Sequence, residues 1–227
     1  MTHHRLPAGT DVAEMALFDV DALPHSKPPD AESLEELVAG ESLVRLSTGA
    51  DGGYLLHLHV DESPPEQVLR YCLAEDKLTG HFASSHGRIA FGGVESAFQT
   101  FKPNRLIRSD AVITPGRFSF TAYHTDIPDE VINQATRVDE TPAERWLNRV
   151  PLITTLMSLG VAFTLATFGR SVIAGLVLLL GYVAFKTVKR LPAYKAVVAR
   201  RNEAQLAFPS IVIEMRSTQS ATSLFHR

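Results

Sequence analysis

The feature that most constrains this chain is an apolar stretch in its final third. Between 150 and 185 the only charged residue is Arg170. One straight helix over this stretch would be about 54 Å long, far beyond the roughly 30 Å hydrocarbon core of a bilayer. A glycine at 169 permits a turn, and Ser171 can cap the helix that follows. The stretch therefore predicts two transmembrane helices joined by a hairpin turn at Gly169, Arg170 and Ser171.

Basic residues around this stretch predict its orientation. They lie just before the first apolar arm and just after the second, whereas the turn carries Arg170 alone. By the positive-inside rule, both ends of the hairpin and both termini lie in the cytoplasm, beneath the plasma (inner) membrane. There are two alternatives to a transmembrane hairpin: a pair of helices buried in a soluble core, and a hairpin that enters only one leaflet of the bilayer. The predicted membrane-interface anchors are Arg145, Trp146, Arg149, Lys186, Lys189 and Arg190.

The rest of the composition is typical of a soluble folded protein. Apolar residues make up 45% of the chain and charged residues 21%, which excludes a disordered or collagen-like chain. Residues 1–185 carry 14 basic and 23 acidic side chains, a net charge of −9, whereas residues 186–227 carry 8 and 2, a net charge of +6. The acidic main part argues against a nucleic-acid partner. Cys72 is the only cysteine, which excludes an intramolecular disulfide.

Capping signals predict two helices outside the membrane arms and the start of the helix that forms the first arm. Asp30 precedes an acidic run that ends at a glycine, which predicts a helix near 31–39. Ser63 and Glu66 have capping-box spacing and predict a helix near 64–75. A second capping box at Thr141 and Glu144 starts a helix that continues into the first membrane arm.

Alternating apolar and polar residues predict a sheet. The runs 43–48 and 54–60 flank a glycine-rich turn and are predicted to form a hairpin. Further short runs between 78 and 123, including 96–101, predict more antiparallel strands. The run 208–216 has strong β propensity, and because a lone strand is unstable we expect it to return to this sheet.

These patterns predict an α+β fold: a small antiparallel β-rich cytoplasmic domain with a two-helix transmembrane hairpin inserted before a C-terminal strand. The β-rich domain precedes the hairpin and is the larger of the two, and shorter segments lie before and after them. The predicted order is a flexible segment over 1–29, the β-rich domain over 30–140, the hairpin over 141–190, a cytoplasmic helix and returning strand over 191–216, and a disordered tail over 217–227.

Two histidines are the strongest candidates for chemistry. His57 and His59 alternate along a strand and therefore face the same way, so that a third histidine at 81, 86 or 124 could complete a metal site with them. Leu56 and Leu58 alternate with these histidines and assign the core to the opposite face of the strand. This favours the interpretation of His57 and His59 as ordinary polar residues on a solvated face. We predict no metal, catalytic or cofactor-binding site, because no motif of such a site is present. Lys102, Arg105 and Arg108 could meet an anionic ligand or lipid head groups, but an exposed loop is the simpler interpretation.

The absence of a catalytic motif beside a well-formed anchor predicts a membrane-anchored, non-enzymatic binding or sensing module. Bacterial immunity and defence proteins use such layouts. The predicted partners are the lipid bilayer, a protein or small ligand, and a second copy of the chain through the small residues of the hairpin, with no nucleic acid and no cofactor. The alternative is a membrane-tethered hydrolase with a histidine-containing site on the β-rich domain. Whether the hairpin is a passive anchor or an effector is left open.

Overall fold

The described strands of this protein form two sheets. The structure is a computed structural model that describes residues 2–23, 30–98, 107–138 and 140–218. In these ranges the strands are β1 (Thr2–Thr10), β2 (Glu14–Asp19), β3 (Leu43–Ser47), β4 (Gly52–Val60), β5 (Leu78–Ser84), β6 (Arg88–Gly93), β7 (Arg108–Val112), β8 (Gly116–His124) and β9 (Ile211–Ser217). The helices are α1 (Ala31–Ala39), α2 (Glu66–Leu69), α3 (Asp129–Arg137), α4 (Pro142–Thr167), α5 (Ser171–Arg190) and α6 (Pro192–Gln205).

The chain divides into two compact units. Residues 1–127 and 208–227 form the first, and residues 128–207 form the second. The first unit contains the strands with α1 and α2, and the second contains α3 to α6. The predicted α+β fold, with antiparallel sheets and two long apolar helices ahead of a C-terminal strand, is confirmed.

The C-terminal strand is the middle strand of the larger sheet. That sheet has the order β1-β4-β9-β8-β5, and the smaller sheet has the order β3-β2-β6-β7. β9 runs parallel to β4 and antiparallel to β8, so Ile213 lies between Leu58 and Ala122. The expected return of this strand to the amino-terminal sheet is therefore confirmed, and all other pairs of the described strands are antiparallel.

The two sheets pack face to face over an apolar core. Every second residue of a strand points to the same face, and the inward-facing side chains of both sheets are apolar and buried. Phe118, Phe120 and Ala122 of β8 point inward as their alternation predicts. The core is completed by Leu6, Met15, Leu17, Leu56, Leu58, Phe82, Ile89, Phe91, Ile211, Ile213 and Met215, among others.

The smaller sheet is buried on its outer face as well. Phe18 on β2 points away from the sandwich core into a second apolar cluster, to which α1 contributes Leu34. The helix begins at Ala31 because the carboxylate of Asp30 accepts a hydrogen bond of 2.9 Å from the backbone N–H of Ser33. The prediction of a helix near 31–39 is confirmed.

Two sequence-based expectations for the amino-terminal half are wrong. The segment 1–29, expected to be flexible, supplies β1 and β2, one to each sheet. The expected hairpin of 43–48 with 54–60 does not form, because β3 pairs with β2 and β4 pairs with β1 in the other sheet. The glycine-rich connection therefore crosses from one sheet to the other.

The region between β4 and β5 is less helical than its sequence indicates. The helix expected over 64–75 is reduced to α2, which has no side-chain cap. The Ser63 hydroxyl lies 3.3 Å from a carboxylate oxygen of Glu214 instead of capping the helix. The strand expected at 96–101 is described only over 96–98, and these residues belong to a short 3-10 helix, Val94–Phe98. The expected tail over 217–227 lies outside the described residues apart from Ser217, which ends β9, and Thr218.

Candidate membrane hairpin and histidine cluster

Helix α4 starts at the predicted capping box. The Thr141 hydroxyl accepts a hydrogen bond of 3.3 Å from the backbone N–H of Glu144, and a Glu144 carboxylate oxygen accepts one of 2.9 Å from the Thr141 N–H. Pro142 occupies the first turn, where its missing N–H costs nothing. The helix then continues without a break into the apolar stretch, as predicted.

A turn at Gly169 and Arg170 separates the two long helices. Gly169 has φ +73°, a left-handed conformation that glycine adopts without steric cost, and its N–H donates to the carbonyl of Ala166. Arg170 precedes the next helix, and Ser171 is its first residue. The expectation that Ser171 caps α5 is wrong, because Arg170 holds the capping position without a side-chain hydrogen bond.

The apolar side chains of both helices are largely exposed. Only 11% of the most apolar window of each helix is buried within the protein. Phe163 on α4 is 73% exposed and Leu180 on α5 is 68% exposed. A helix in the core of a soluble protein would bury such residues. By length and composition, α4 and α5 are each able to cross a membrane.

The predicted interface anchors lie at the ends of the helices away from the turn, and all six are exposed. The ammonium group of Lys186 lies 5.5 Å from the ring centre of Tyr182, and that of Lys189 lies 4.4 Å from the ring centre of Phe185. Both pairs place a cation over an aromatic face, an arrangement suited to a membrane boundary. At 1.5 Å per residue, Lys186 is about 22 Å along the helix axis from Ser171. The remaining anchors are Arg145, Trp146, Arg149 and Arg190.

α4 and α5 pack closely where small residues meet. A Cβ added to Gly181 would lie 2.5 Å from the Cβ of Ser158, so only glycine fits at this crossing. Ala162 and Ala174 are buried on the same two helices. Gly175 has no heavy atom within 4 Å of such a Cβ among the described residues and lies on an open face. Close approach of small residues is the usual way in which helices pack in lipid.

Two ion pairs fix α6 against the start of α4. Arg201 binds both carboxylate oxygens of Glu140, and Arg200 binds Glu144. Glu140 is almost fully buried, and its hydrogen bonds from Arg201 hold the pKa of its carboxyl group below the ordinary value. The segment before the hairpin and the segment after it are therefore joined within one unit.

The candidate histidines are buried, which corrects the expectation of a solvated face. His57 is 3% exposed and His59 is 1% exposed, although both point away from the sandwich core. The third histidine beside them is His3 of β1, a residue that the sequence analysis did not consider. Its ring stacks on that of His59 with centroids 4.4 Å apart, and it meets His57 edge-on at 4.8 Å. Burial lowers the pKa of His59, and the neighbouring His3 lowers it further, which favours the neutral imidazole.

The serine and histidine beside the β5–β6 turn do not form a catalytic triad. The Ser85 hydroxyl lies 3.0 Å from Nδ1 of His86, and a carboxylate oxygen of Asp21 lies 3.9 Å from that same nitrogen. A triad needs the nucleophile and the acid on opposite ring nitrogens, so that the imidazole can relay a proton between them. This arrangement therefore lacks the geometry for nucleophilic catalysis.

Arg108, one of the three basic residues expected in an exposed loop, has an internal partner. Arg108 is buried on β7, its Nε donates to Asp110 over 2.6 Å, and its guanidinium lies over the ring of Phe18 at 5.2 Å. It is therefore part of the smaller sheet and not of an exposed loop. Lys102 and Arg105 lie outside the described residues.

The sequence matches no protein family and no curated protein. Two solved structures match part of the chain. One, described as "Crocagin biosynthetic gene J", is 15% identical, covers 55% of this chain and 79% of its own, and gives a TM-score of 0.39. The other, ComJ, inhibitor of the DNA degrading activity of NucA, from Bacillus subtilis, is 13% identical, covers 57% and 87%, and gives a TM-score of 0.35. Similarity at this level carries no argument about function.

Proposed function

We propose that this chain is an integral membrane protein in which the α4–α5 hairpin spans the plasma (inner) membrane and holds the β-sandwich at its cytoplasmic face. The observation that carries the proposal is a pair of consecutive apolar helices whose large side chains are exposed along their length. Soluble proteins rarely expose contiguous apolar patches larger than a few hundred Å². In lipid the same surface is stable.

Helix length supports a full span over a hairpin confined to one leaflet. α4 has 26 residues and α5 has 20. At 1.5 Å per residue these correspond to about 39 and 30 Å, enough to cross the roughly 30 Å hydrocarbon core. The polar first turns of α4 extend beyond that core. The basic residues at the far ends of both helices favour the cytoplasm for those ends.

The β-sandwich is proposed to act as a non-enzymatic binding or sensing module for a protein or small ligand. Two observations support this part of the proposal: the apolar helix pair α4–α5 can serve as an anchor, and the geometry of Ser85 and His86 does not provide a catalytic relay. Membrane-anchored recognition modules of this layout serve in bacterial immunity and defence, and that is the setting we propose. A hydrolase using His57, His59 or His86 has less support. His57 and His59 lie on β4 beside His3, whereas His86 lies in the connection between β5 and β6, which links the two sheets.

Carbonate extraction tests the membrane proposal. Membranes of bacterial cells that express the chain are washed at alkaline pH, and we expect the protein to stay in the pellet and to be released only by detergent. Leu178→Arg places a charge near the middle of α5 at a cost of about 2.5–3.5 kcal/mol and should increase the extracted fraction. Val112→Arg, on an exposed residue of β7, is the control and should leave extraction unchanged. Release of the wild-type protein by carbonate alone would overturn the proposal.

A further inference from the structure

Three histidines from two neighbouring strands meet on the outer face of the five-stranded sheet. The register of β1 against β4 places His3 directly opposite His59, and His57 lies two residues away on the same face. Their ring nitrogens include one from each residue that all lie within 4.8 Å of one another. The cluster depends on tertiary pairing, since His3 is more than fifty residues away from the other two along the chain.

Within the described part of the chain, His59 is buried without the hydrogen bonds that would compensate for its burial. It is 1% exposed, and neither Nδ1 nor Nε2 has a hydrogen-bond partner among the residues that the structure describes. A buried polar atom without a partner costs about 1–3 kcal/mol. Natural proteins retain such atoms mainly where a bound ion, water or chemical role accounts for them.

The geometry points to a binding site for a divalent transition-metal ion, with Zn²⁺ the best match, held by His3, His57 and His59. Neutral imidazole nitrogen is a preferred ligand of this class of ion, and three histidines with one open position form a known zinc arrangement. At Zn–N distances of about 2.0–2.1 Å, tetrahedral donors lie about 3.4 Å apart. The observed separations of at most 4.8 Å bring one nitrogen of each histidine near a common point. Because the rings of His3 and His59 are stacked with only 6° between their planes, the exposed His3 ring must turn out of the stack to direct its lone pair at the ion.

The surroundings suit an ion that enters from one side. His3 is exposed and the other two histidines are buried, so solvent reaches the cluster at His3. The Glu62 carboxylate lies close enough to act electrostatically on both His3 and His59, and it favours a cation between them. Arg5 opposes this effect at His3. A metal ion would also attach β1, an edge strand, to the interior strand β4.

Cobalt titration tests the site directly. The full-length protein is purified in detergent through a histidine-free tag and stripped with a chelator. Co²⁺ is then added, and its visible absorption and displacement by Zn²⁺ are measured. We expect saturation at one ion per chain, a tetrahedral Co²⁺ spectrum, and a higher unfolding temperature in the presence of Zn²⁺.

Two variants separate this site from adventitious binding. His3→Ala removes an exposed ligand and should weaken Co²⁺ binding at least about tenfold, while circular dichroism confirms that the protein is folded. His86→Ala removes an exposed histidine at the β5–β6 turn and should bind Co²⁺ like the wild type. The assignment is overturned if wild-type protein shows no saturable Co²⁺ band, or if His3→Ala and wild type bind with equal affinity.

Discussion

Replacement of Ile213 measures how much the strand after the hairpin contributes to the sandwich. Ile213 is fully buried on β9, between Leu58 and Ala122 of the adjacent strands. Ile213→Ala removes three carbon atoms, which at about 0.8 kcal/mol each is a transfer loss of about 2.4 kcal/mol. A partly relaxed cavity adds about 1 kcal/mol or more. We therefore expect the free energy of unfolding to fall by about 3–4 kcal/mol, and by about 1 kcal/mol for Ile213→Val.

Cys72 provides a readout within the same unit. It is the only cysteine of the chain and is half-buried. Thiol labelling at increasing urea concentration reports the unfolding of this unit, at alkaline pH because burial raises the pKa of the thiol. Val112→Ala is the control, since Val112 is 69% exposed on the edge strand β7 and its loss should cost about 0.5 kcal/mol or less. An equal shift of the urea midpoint in Ile213→Ala and Val112→Ala would refute the placement of β9 in the core.

Two further predictions concern the helical unit. Gly181→Ala should destabilise the helix pair by about 1–3 kcal/mol because the added Cβ meets Ser158. Gly175→Ala gains the same helix propensity without such a contact and should not destabilise it. Thermal unfolding followed by tryptophan fluorescence compares the two variants, and equal melting temperatures would contradict the packing. Glu140→Gln breaks the pair with Arg201 and should cost about 1–3 kcal/mol at neutral pH. Because the folded pKa of Glu140 lies below its ordinary 4.5, this stability is present above pH 4.5 and is lost as the pH falls through the folded pKa. The difference in stability between the wild type and the variant should therefore shrink as the pH falls, although both retain the acid-dependent contribution of Glu144. The same acid dependence in both proteins would argue against the pair.

Local signals in the sequence predicted the elements that depend on local chemistry. The capping box at Thr141 and the glycine at 169 set the start and the turn of the hairpin, and both form as predicted. Asp30 likewise sets the start of α1. The return of β9 was predicted by a more general argument, that an isolated apolar strand needs neighbours. Tertiary packing determines which strands lie beside β9 and that one of them runs parallel to it.

The pairing of strands could not be predicted from nearby residues. A glycine-rich turn between two strand patterns favours a hairpin, but 43–47 and 52–60 each pair with a strand of the amino-terminal segment. That segment was expected to be flexible, and charges interrupt its apolar residues. Asp19, one of those charges, is buried at the end of β2 and accepts hydrogen bonds from the backbone N–H groups of Asp21 and Ser85. Polar residues with such partners are compatible with a buried strand.

The histidine cluster was missed for the same reason. The spacing of His57 and His59 correctly predicted that the two side chains share a face, but the face was assigned to solvent. β4 lies between β1 and β9, and the ring of His3 on β1 stacks on that of His59, a contact that the residues around His57 and His59 do not reveal. Once β1 is placed, its register alone puts His3 opposite His59.

Labelling of the hairpin turn tests the central claim most directly. In a Cys72→Ser background, Ser171→Cys places a thiol at the turn and Ala50→Cys places one on an exposed loop of the sandwich. A membrane-impermeant thiol reagent is added to intact spheroplasts and, separately, to permeabilised ones. A spanning hairpin predicts that the thiol at 171 reacts in both and that the thiol at 50 reacts only after permeabilisation. Protection of the thiol at 171 in intact spheroplasts, with reaction only after permeabilisation, would contradict the claim.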